Sequence, residues 1–450
     1  MDERLVVIGA DAAGMTAASQ ARRRDRTLEV VAFEKGKYAS YAACGEPYFV
    51  SGDVEELSDL IARTPDQFAR AGIDLRLRTE VTSIDLDRRT VSTLSHSDGS
   101  TSETGFDKLL IATGARAFIP PMQGVDLPGV HTLRTLTDAA ALRSIAAAGK
   151  GRLVVIGAGY IGIEVAEAFD TRGWDVVMVE ALPSVMARTL DADLGSKVSD
   201  AMTDSGVRVI TSVMVDRIEG TDSVTGVTAG GQSIPADLVV LAVGGRPVSE
   251  LASQAGIPVG PTGGIIVDDH QLTGAEGVWA AGDCAEVYHR ITHQMVNMHL
   301  GTVANKTGRI AGINLSGGDA RFPGVLGTAI TRFHDLEIAV TGASKVQAEA
   351  AGIDAVEVTV SGLTAAHYMP EAHDLTIRLT VEKGTSVVLG SQIVGGAGAG
   401  KRIDVFATAA WNAMTAGDLE WVDFAYAPPF APVWDLMAIA ARKAAAVARS

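Results

Sequence analysis

The chain has 450 residues, too many for one ordinary core, so two or three domains are expected. Its 47% apolar and 20% charged residues are a soluble globular balance, and a net charge of −16 disfavours nucleic acid and acidic membrane surfaces as partners. No apolar run approaches the ~18 residues of a membrane span. Met1-Asp2-Glu3-Arg4 leads straight toward a strand with no signal-peptide pattern, and two cysteines 240 positions apart make neither a disulfide framework nor a zinc site. A reducing, cytoplasmic setting is expected.

Leu5-Val6-Val7-Ile8 is a short apolar run that stops at Gly9, the pattern of a buried parallel strand. Gly9-Ala10-Asp11-Ala12-Ala13-Gly14 then opens a helix predicted through Arg24. Leu28 to Phe33 is the next strand, and it ends at Glu34, twenty residues after Gly14. Strand, glycine turn, helix, strand and acid form the dinucleotide-binding fingerprint. In it Gly9 allows the tight turn and Gly14 lets the helix pack on the sheet. The helix N-terminus faces a pyrophosphate, and the acid takes ribose hydroxyls. Asp11 stands where the pattern has its middle glycine, so an ordinary glycine turn in an α/β domain is the competing reading.

The stretch Ser40-Tyr41-Ala42-Ala43-Cys44-Gly45-Glu46-Pro47-Tyr48 follows. Small residues crowd the thiol, and Pro47 shapes a turn into a helix start. A thiol at a helix N-terminus is drawn toward the reactive thiolate. Taken alone, a lone cysteine is more often buried and structural.

Arg70 to Val81 and Thr90 to Leu94 read as strands of a small β element. Lys108 to Ala115 reads as a buried strand whose small end, Ala112-Thr113-Gly114, leaves room for a cofactor at the sheet's carboxyl edge. The fingerprint then repeats. Leu153 to Ile156 leads into Gly157-Ala158-Gly159-Tyr160-Ile161-Gly162, a helix to about Arg172, a strand from Asp175 to Val179, and Glu180. An acid there favours a free ribose 2′-hydroxyl, hence NADH over NADPH, with Arg188 weakening the preference. Leu238 to Pro247 is a second sheet edge like that of Ile111 to Gly114, and Gly277 to Asp283 a short strand ending in Gly-Asp. A helix from about Met298 to Asn314 carries Gly301, Ala304, Gly308 and Gly312 for close packing. From about Phe322 the pattern becomes α+β without a fingerprint, with strands near 336–341, 355–361, 375–381 and 386–393. It closes with a helix over 404–414, a proline-rich loop from Tyr426 to Pro432, and an alanine-rich helix.

Two fingerprints 148 residues apart, with Ala112-Thr113-Gly114 and Ala281-Gly282-Asp283, give the chain its resemblance. Over essentially its whole length it resembles the FAD- and NAD(P)-dependent pyridine nucleotide–disulfide oxidoreductases. The resemblance implies an α/β, glutathione-reductase-like chain of two Rossmann-like dinucleotide-binding domains and a C-terminal α+β dimerisation domain. Residues 1–115 and 250–321 would be the two parts of the FAD-binding domain, 116–249 the NAD(P)-binding domain, and 322–450 the dimerisation domain of a homodimer. The cofactor-binding residues it implies are Gly9, Ala10, Ala12, Ala13, Gly14, Glu34, Val81, Ala112, Thr113, Gly114, Asp283 and Ala304. Gly157, Gly159, Tyr160, Ile161, Gly162, Glu164, Glu180 and Gly244 complete the set, with the Tyr160 ring covering the flavin until nicotinamide displaces it.

Glutathione-reductase-like members carry a CxxxxC pair, whereas Cys44 has no second cysteine nearby. The stretch is similar to the single-cysteine branch: coenzyme A disulfide reductases, NADH oxidases, NADH peroxidases and persulfide reductases. The oxidases and peroxidases usually place a histidine where this chain has Ala12, as the coenzyme A disulfide reductases do. Tyr426 with Pro428-Pro429-Phe430 looks like the reductases' tyrosine loop, which reaches the partner subunit's active site, and Tyr368 lies in a segment like their second tyrosine region. Cys44, Tyr426 and Tyr368 are therefore the catalytic candidates.

Thr16, Gln20 and Arg23 share one polar helix face and match positions where the reductases hold coenzyme A. Arg23 could meet its phosphates. Ser40, Ala43 and Asn305 match further contacts, with Ala43 replacing a common Asn and Asn305 a His. Glu46 replaces a usual Leu. Cys284 reads as structural, and His289, His293 and His299 as surface or packing residues.

The implied activity passes reducing equivalents from NADH or NADPH through FAD to Cys44. A low-molecular-weight disulfide or persulfide, coenzyme A disulfide first, is the acceptor. Tyr426 from the other subunit would orient or protonate the leaving thiol. Three alternatives stand beside it: an NADH oxidase or peroxidase using a Cys44 sulfenate, an electron-transfer reductase, and a redox-responsive binding flavoprotein.

Overall fold

Two five-stranded parallel sheets carry the two glycine turns in the computed structural model, which describes residues 3–449. In the first, Arg4–Ile8 lies between Glu29–Phe33 and Lys108–Ile111; Ile73–Arg76 and Val278–Ala280 are the outer strands. In the second, Arg152–Ile156 lies between Asp175–Val179 and Leu238–Leu241, with Arg208–Ile210 and Val130–His131 outside. After their opening arginines, Arg4 and Arg152, the central strands are apolar and buried at every position, because both faces are covered. Val278–Ala280 joins the first sheet only after the second is complete, so the chain leaves this layer and returns to it.

The small β element starts later than the sequence pattern implies. Arg70 ends a short helix, Pro65–Arg70, held by a capping box between Thr64 and Gln67. Ile73–Arg76 joins the parallel sheet, and the separate antiparallel element is Thr79–Asp85, Thr90–Ser95 and Thr101–Gly105. A second three-stranded element, Val215–Gly220, Val224–Ala229 and Gln232–Pro235, has no counterpart in the sequence reading. After Phe322 a five-stranded antiparallel sheet runs in the order 329–333, 336–342, 388–395, 374–382, 355–363. Helices Ile403–Trp411 and Leu436–Ala448 share its core. No helix of the described residues is long and apolar enough to cross a membrane.

Helix Ala12–Arg24, which follows the first glycine turn, is clamped against helix Gly301–Leu315. A Cβ added at Gly308 would lie 2.4 Å from the Ala13 carbonyl oxygen, and one at Gly312 would lie 2.5 Å from that of Ala17. The small residues read from the sequence are thus required at backbone-to-backbone contact. Gly308→Ala is expected to destabilise the fold by about 1–3 kcal/mol through overpacking. A lower denaturant midpoint at unchanged slope would show it.

Candidate active site

The two glycine turns are built alike. Gly9 and Gly157 adopt φ of 98° and 102°, and an added Cβ would strike the Ala112 and Ala242 carbonyl oxygens at 2.1 and 2.6 Å. A Cβ at Gly14 or Gly162 would meet the oxygen of Gly9 or Gly157 at 1.9 or 2.1 Å. The acids that end the second strands fold back onto these turns. Glu34 accepts from the Ala10 and Gly36 N–H groups at 3.0 and 2.8 Å. Glu180 accepts from those of Ala158 and Leu182 at 2.7 and 2.8 Å.

No protein contact at the middle position requires a glycine. Gly159 has no heavy atom within 4 Å of an added Cβ, and Asp11 sits at the equivalent place with φ of −114°. The Asp11 side chain accepts from the Tyr41 N–H at 3.1 Å, while Ser40, at φ of 48°, donates its N–H to Ala10 at 2.9 Å. The departure from the pattern ties the cysteine loop to the first glycine turn. Ala42 N–H to Leu60 and Ala62 N–H to Ser40 hold the loop's other side.

Cys44 sits in a short 3-10 turn, Ala43–Gly45, that feeds helix Glu46–Ser51. The residue is exposed while its sulfur is partly enclosed, lying 3.9 Å from where a Gly301 Cβ would be, at the start of helix Gly301–Leu315. The expected pull toward thiolate is overturned. Burial raises the thiol's pKa, and Glu164, Glu46 and Asp283 raise it further against the opposing charge of Arg134. Cys284 is fully buried, as expected of a structural cysteine.

Those carboxylates surround one cation. Arg134 pairs with Asp283 at 2.7 Å and donates to the Ala115 carbonyl at 3.0 Å. Burial pushes Asp11 up to about 6, the Tyr41 N–H opposes it, and Glu34 and Asp283 add to it. Burial also takes Glu164 up to about 7, against the Thr331 hydroxyl that donates to it at 2.8 Å. Sequence reasoning missed Arg134, whose only signal is its place just before the capping box of Thr135 and Asp138. His299, read as a surface or packing residue, is half-buried and packs against Gly245 near Asp283 and Arg134, with burial lowering its pKa.

The other predicted residues fall as follows. Thr113 donates to the Val248 carbonyl at 2.5 Å, which ties the two small strand ends together, and added Cβ atoms at Gly114 and Gly244 would meet open space. Ala13 and Ala304 line the approach to Gly282, where a Cβ would lie 2.8 and 3.7 Å from theirs. Val81 is buried near the outer part of the first sheet, and Ile161 is exposed. Tyr160 is half-buried, its hydroxyl is enclosed, and burial takes it up to about 12.

Thr16 donates to Asn305 at 2.8 Å and Arg23 to Gln20 at 3.1 Å, so these four lie in two pairs along the clamped helices. Ala43 flanks Cys44 in the short turn. Tyr426 and Tyr368 are both exposed and face each other, and neither is among the groups that act on Cys44 within one chain. The turn geometry, open strand ends and Asp283 fit an FAD at the first turn and a pyridine nucleotide at the second.

Residues 3–308 match the pyridine nucleotide-disulphide oxidoreductase family, and residues 328–438 match its dimerisation domain. The chain belongs to that family of FAD- and pyridine-nucleotide-dependent oxidoreductases. It is 35% identical over 443 residues to an NADH oxidase of Methanocaldococcus jannaschii, covering 98% of each chain. It is 37% identical over 444 residues to an NAD(P)H coenzyme A polysulfide/persulfide reductase of Pyrococcus horikoshii, also covering 98% of each. The solved NAD-dependent persulfide reductase from A. fulgidus superposes with a TM-score of 0.94 at 39% identity, covering 98% of this chain and 83% of that one.

Asp11 gives a pH test. Its carboxyl binds its proton more tightly in the folded state, so its contribution to stability is full below about pH 4 and is lost as pH rises through about 6. Asp11→Asn should therefore melt above the wild type at about pH 7.5, with the difference vanishing near pH 4. A constant difference between the two melting temperatures across that range would contradict this.

Proposed function

We propose that the protein is an NAD(P)H-dependent reductase of a low-molecular-weight disulfide or persulfide, with coenzyme A or its derivatives as the ligand class. The carrying observation is the single accessible thiol, Cys44, tied by its own loop to the first glycine turn and flanked by Glu164 on the helix that follows the second. The other cysteine is fully buried, so a dithiol relay has no second member. Ala12 at the start of the first helix leaves no imidazole beside Cys44, which favours sulfur exchange over peroxide chemistry.

FAD, when bound, supplies two-electron transfer between nicotinamide and thiol. The chain's own residues do the rest. Glu34 and Glu180 brace the two turns and receive the ribose hydroxyls of FAD and of NADH. Asp11, Ser40 and Ala62 hold the cysteine loop in place. The Cys44 thiolate attacks one sulfur of the acceptor, a Cys44 mixed disulfide forms, and the other sulfur leaves and takes a proton. Thr16, Gln20, Arg23 and Asn305 form the polar strip that would hold a coenzyme A moiety.

The domain divisions at 115, 249 and 321 and a cytoplasmic homodimer belong to the same proposal. Exposed Trp421, Phe430 and Trp434 beside Tyr426 support the dimer, since so much bare aromatic surface suits a second copy. Tyr426 and Tyr368 would then complete the partner's site.

The NADH oxidase reading has the M. jannaschii relative in its favour. Steady-state rates with coenzyme A disulfide, polysulfide, oxygen and peroxide separate the two. The sulfur acceptors should turn over fastest, and Cys44→Ser should bring their reduction to background while leaving NADH reduction of a small dye intact. Oxygen or peroxide turning over orders of magnitude faster would replace this reading with the oxidase one.

A further inference from the structure

Thr331 belongs to strand Ala329–Phe333 of the last sheet, yet its hydroxyl lies in the second dinucleotide unit. It is buried and donates at 2.8 Å to Oε1 of Glu164, two residues past the last glycine of the second turn. Among the described residues this is the one hydrogen bond to the Glu164 carboxyl. That carboxyl is close enough for its charge to act on Cys44, Tyr48 and Tyr160.

The bond is one of a series along a single helix face. Glu164, Glu167 and Asp170 follow one another at three-residue spacing on helix Tyr160–Thr171. Arg332 reaches Glu167 at 3.3 Å, and His334 reaches Asp170 at 2.7 Å. Arg332 also pairs with Asp53 at 3.2 Å and lies over the Tyr48 ring, which ties in the helix that follows Cys44. Phe333, between them in the chain, is buried in the core that backs the second sheet. Packing and charge together fix where the Thr331 hydroxyl sits.

A nicotinamide ring offers one hydrogen-bond donor, its amide, and a carboxylate beside the glycine turn is the matching acceptor. Burial favours the neutral carboxyl and the Thr331 donation opposes that, so the bond keeps Glu164 an acceptor while fixing one of its oxygens. We propose that Thr331 is a positioning residue for the pyridine nucleotide: its hydroxyl holds one oxygen of Glu164 so that the other receives the nicotinamide amide. The strand that carries Thr331 lies in the dimerisation-domain match, so this domain would help to build the nucleotide site of its own chain. The inference rests on the reading of Glu164 as a contact of the bound nucleotide.

The test is calorimetric titration of the oxidised, FAD-loaded enzyme with NAD+ and, separately, with ADP-ribose, which lacks the nicotinamide. Thr331→Val keeps the shape and removes the donor, and it should weaken NAD+ binding by about three- to tenfold. Thr331→Ser restores the hydroxyl and should return NAD+ affinity to within about twofold of the wild type. ADP-ribose should bind all three proteins alike. Thr331→Ala should act as the valine variant does, and it takes that variant's place if the valine protein does not fold.

Unchanged NAD+ affinity in Thr331→Val, or an equal loss of ADP-ribose affinity, would overturn the proposal. So would a serine variant that binds NAD+ no better than the valine one. Glu164→Ala separates that failure from failure of the reading beneath it. Weakened NAD+ binding in Glu164→Ala beside normal binding in Thr331→Val would leave the Glu164 contact standing and remove Thr331 from it. Normal NAD+ binding in Glu164→Ala would remove the contact itself, and the proposal with it. Neither titration involves a sulfur acceptor, so the reductase reading is judged separately by the acceptor rates.

Discussion

Backbone-to-backbone contact between helices Ala12–Arg24 and Gly301–Leu315 is the constraint on which the site depends. Ala13 and Ala17 on one side face Gly308 and Gly312 on the other, with no space for a single methyl group. The contact fixes the first glycine turn at one end and the start of the second helix at the other. Cys44 lies over that start, so the position of the thiol follows from how closely two helices approach.

On this frame the two turns repeat one solution. In each, a glycine with positive φ clears a carbonyl of the neighbouring strand, and an acid folds back to accept from the second residue of the turn. The first turn adds something the second lacks. Asp11 in place of a glycine gives it a side chain that reaches the Tyr41 N–H, which makes the cysteine loop part of the nucleotide unit.

The electrostatics set a limit on the chemistry. Asp11, Glu46, Glu164 and Asp283 converge near a thiol with Arg134 as the opposing cation, and Arg134 is held by Asp283. Burial raises three of these acids toward neutrality, so the site holds protons at pH values where surface carboxylates have none. Burial and these neighbouring acids together raise the thiol's pKa.

The fold class was legible because its signals are local. Apolar runs ending in glycine, and an acid a fixed distance on, need only the period of a strand and the geometry of one turn. The same holds for Gly308 and Gly312, whose spacing marks a close-packing face before the partner helix is known. Charge around Cys44 was not legible in this way. Glu164, Asp283 and Arg134 come from three distant stretches, and the local argument from a helix start gave the opposite sign to the one their sum imposes. Arg134 looked ordinary for the same reason. Sequence alone determined the two glycine turns, the strands that flank them and the one cysteine before a helix start, since each is written in neighbouring residues. Only the tertiary structure decided which charges gather around that thiol, because electrostatic energy depends on distances through space that the order of residues does not contain.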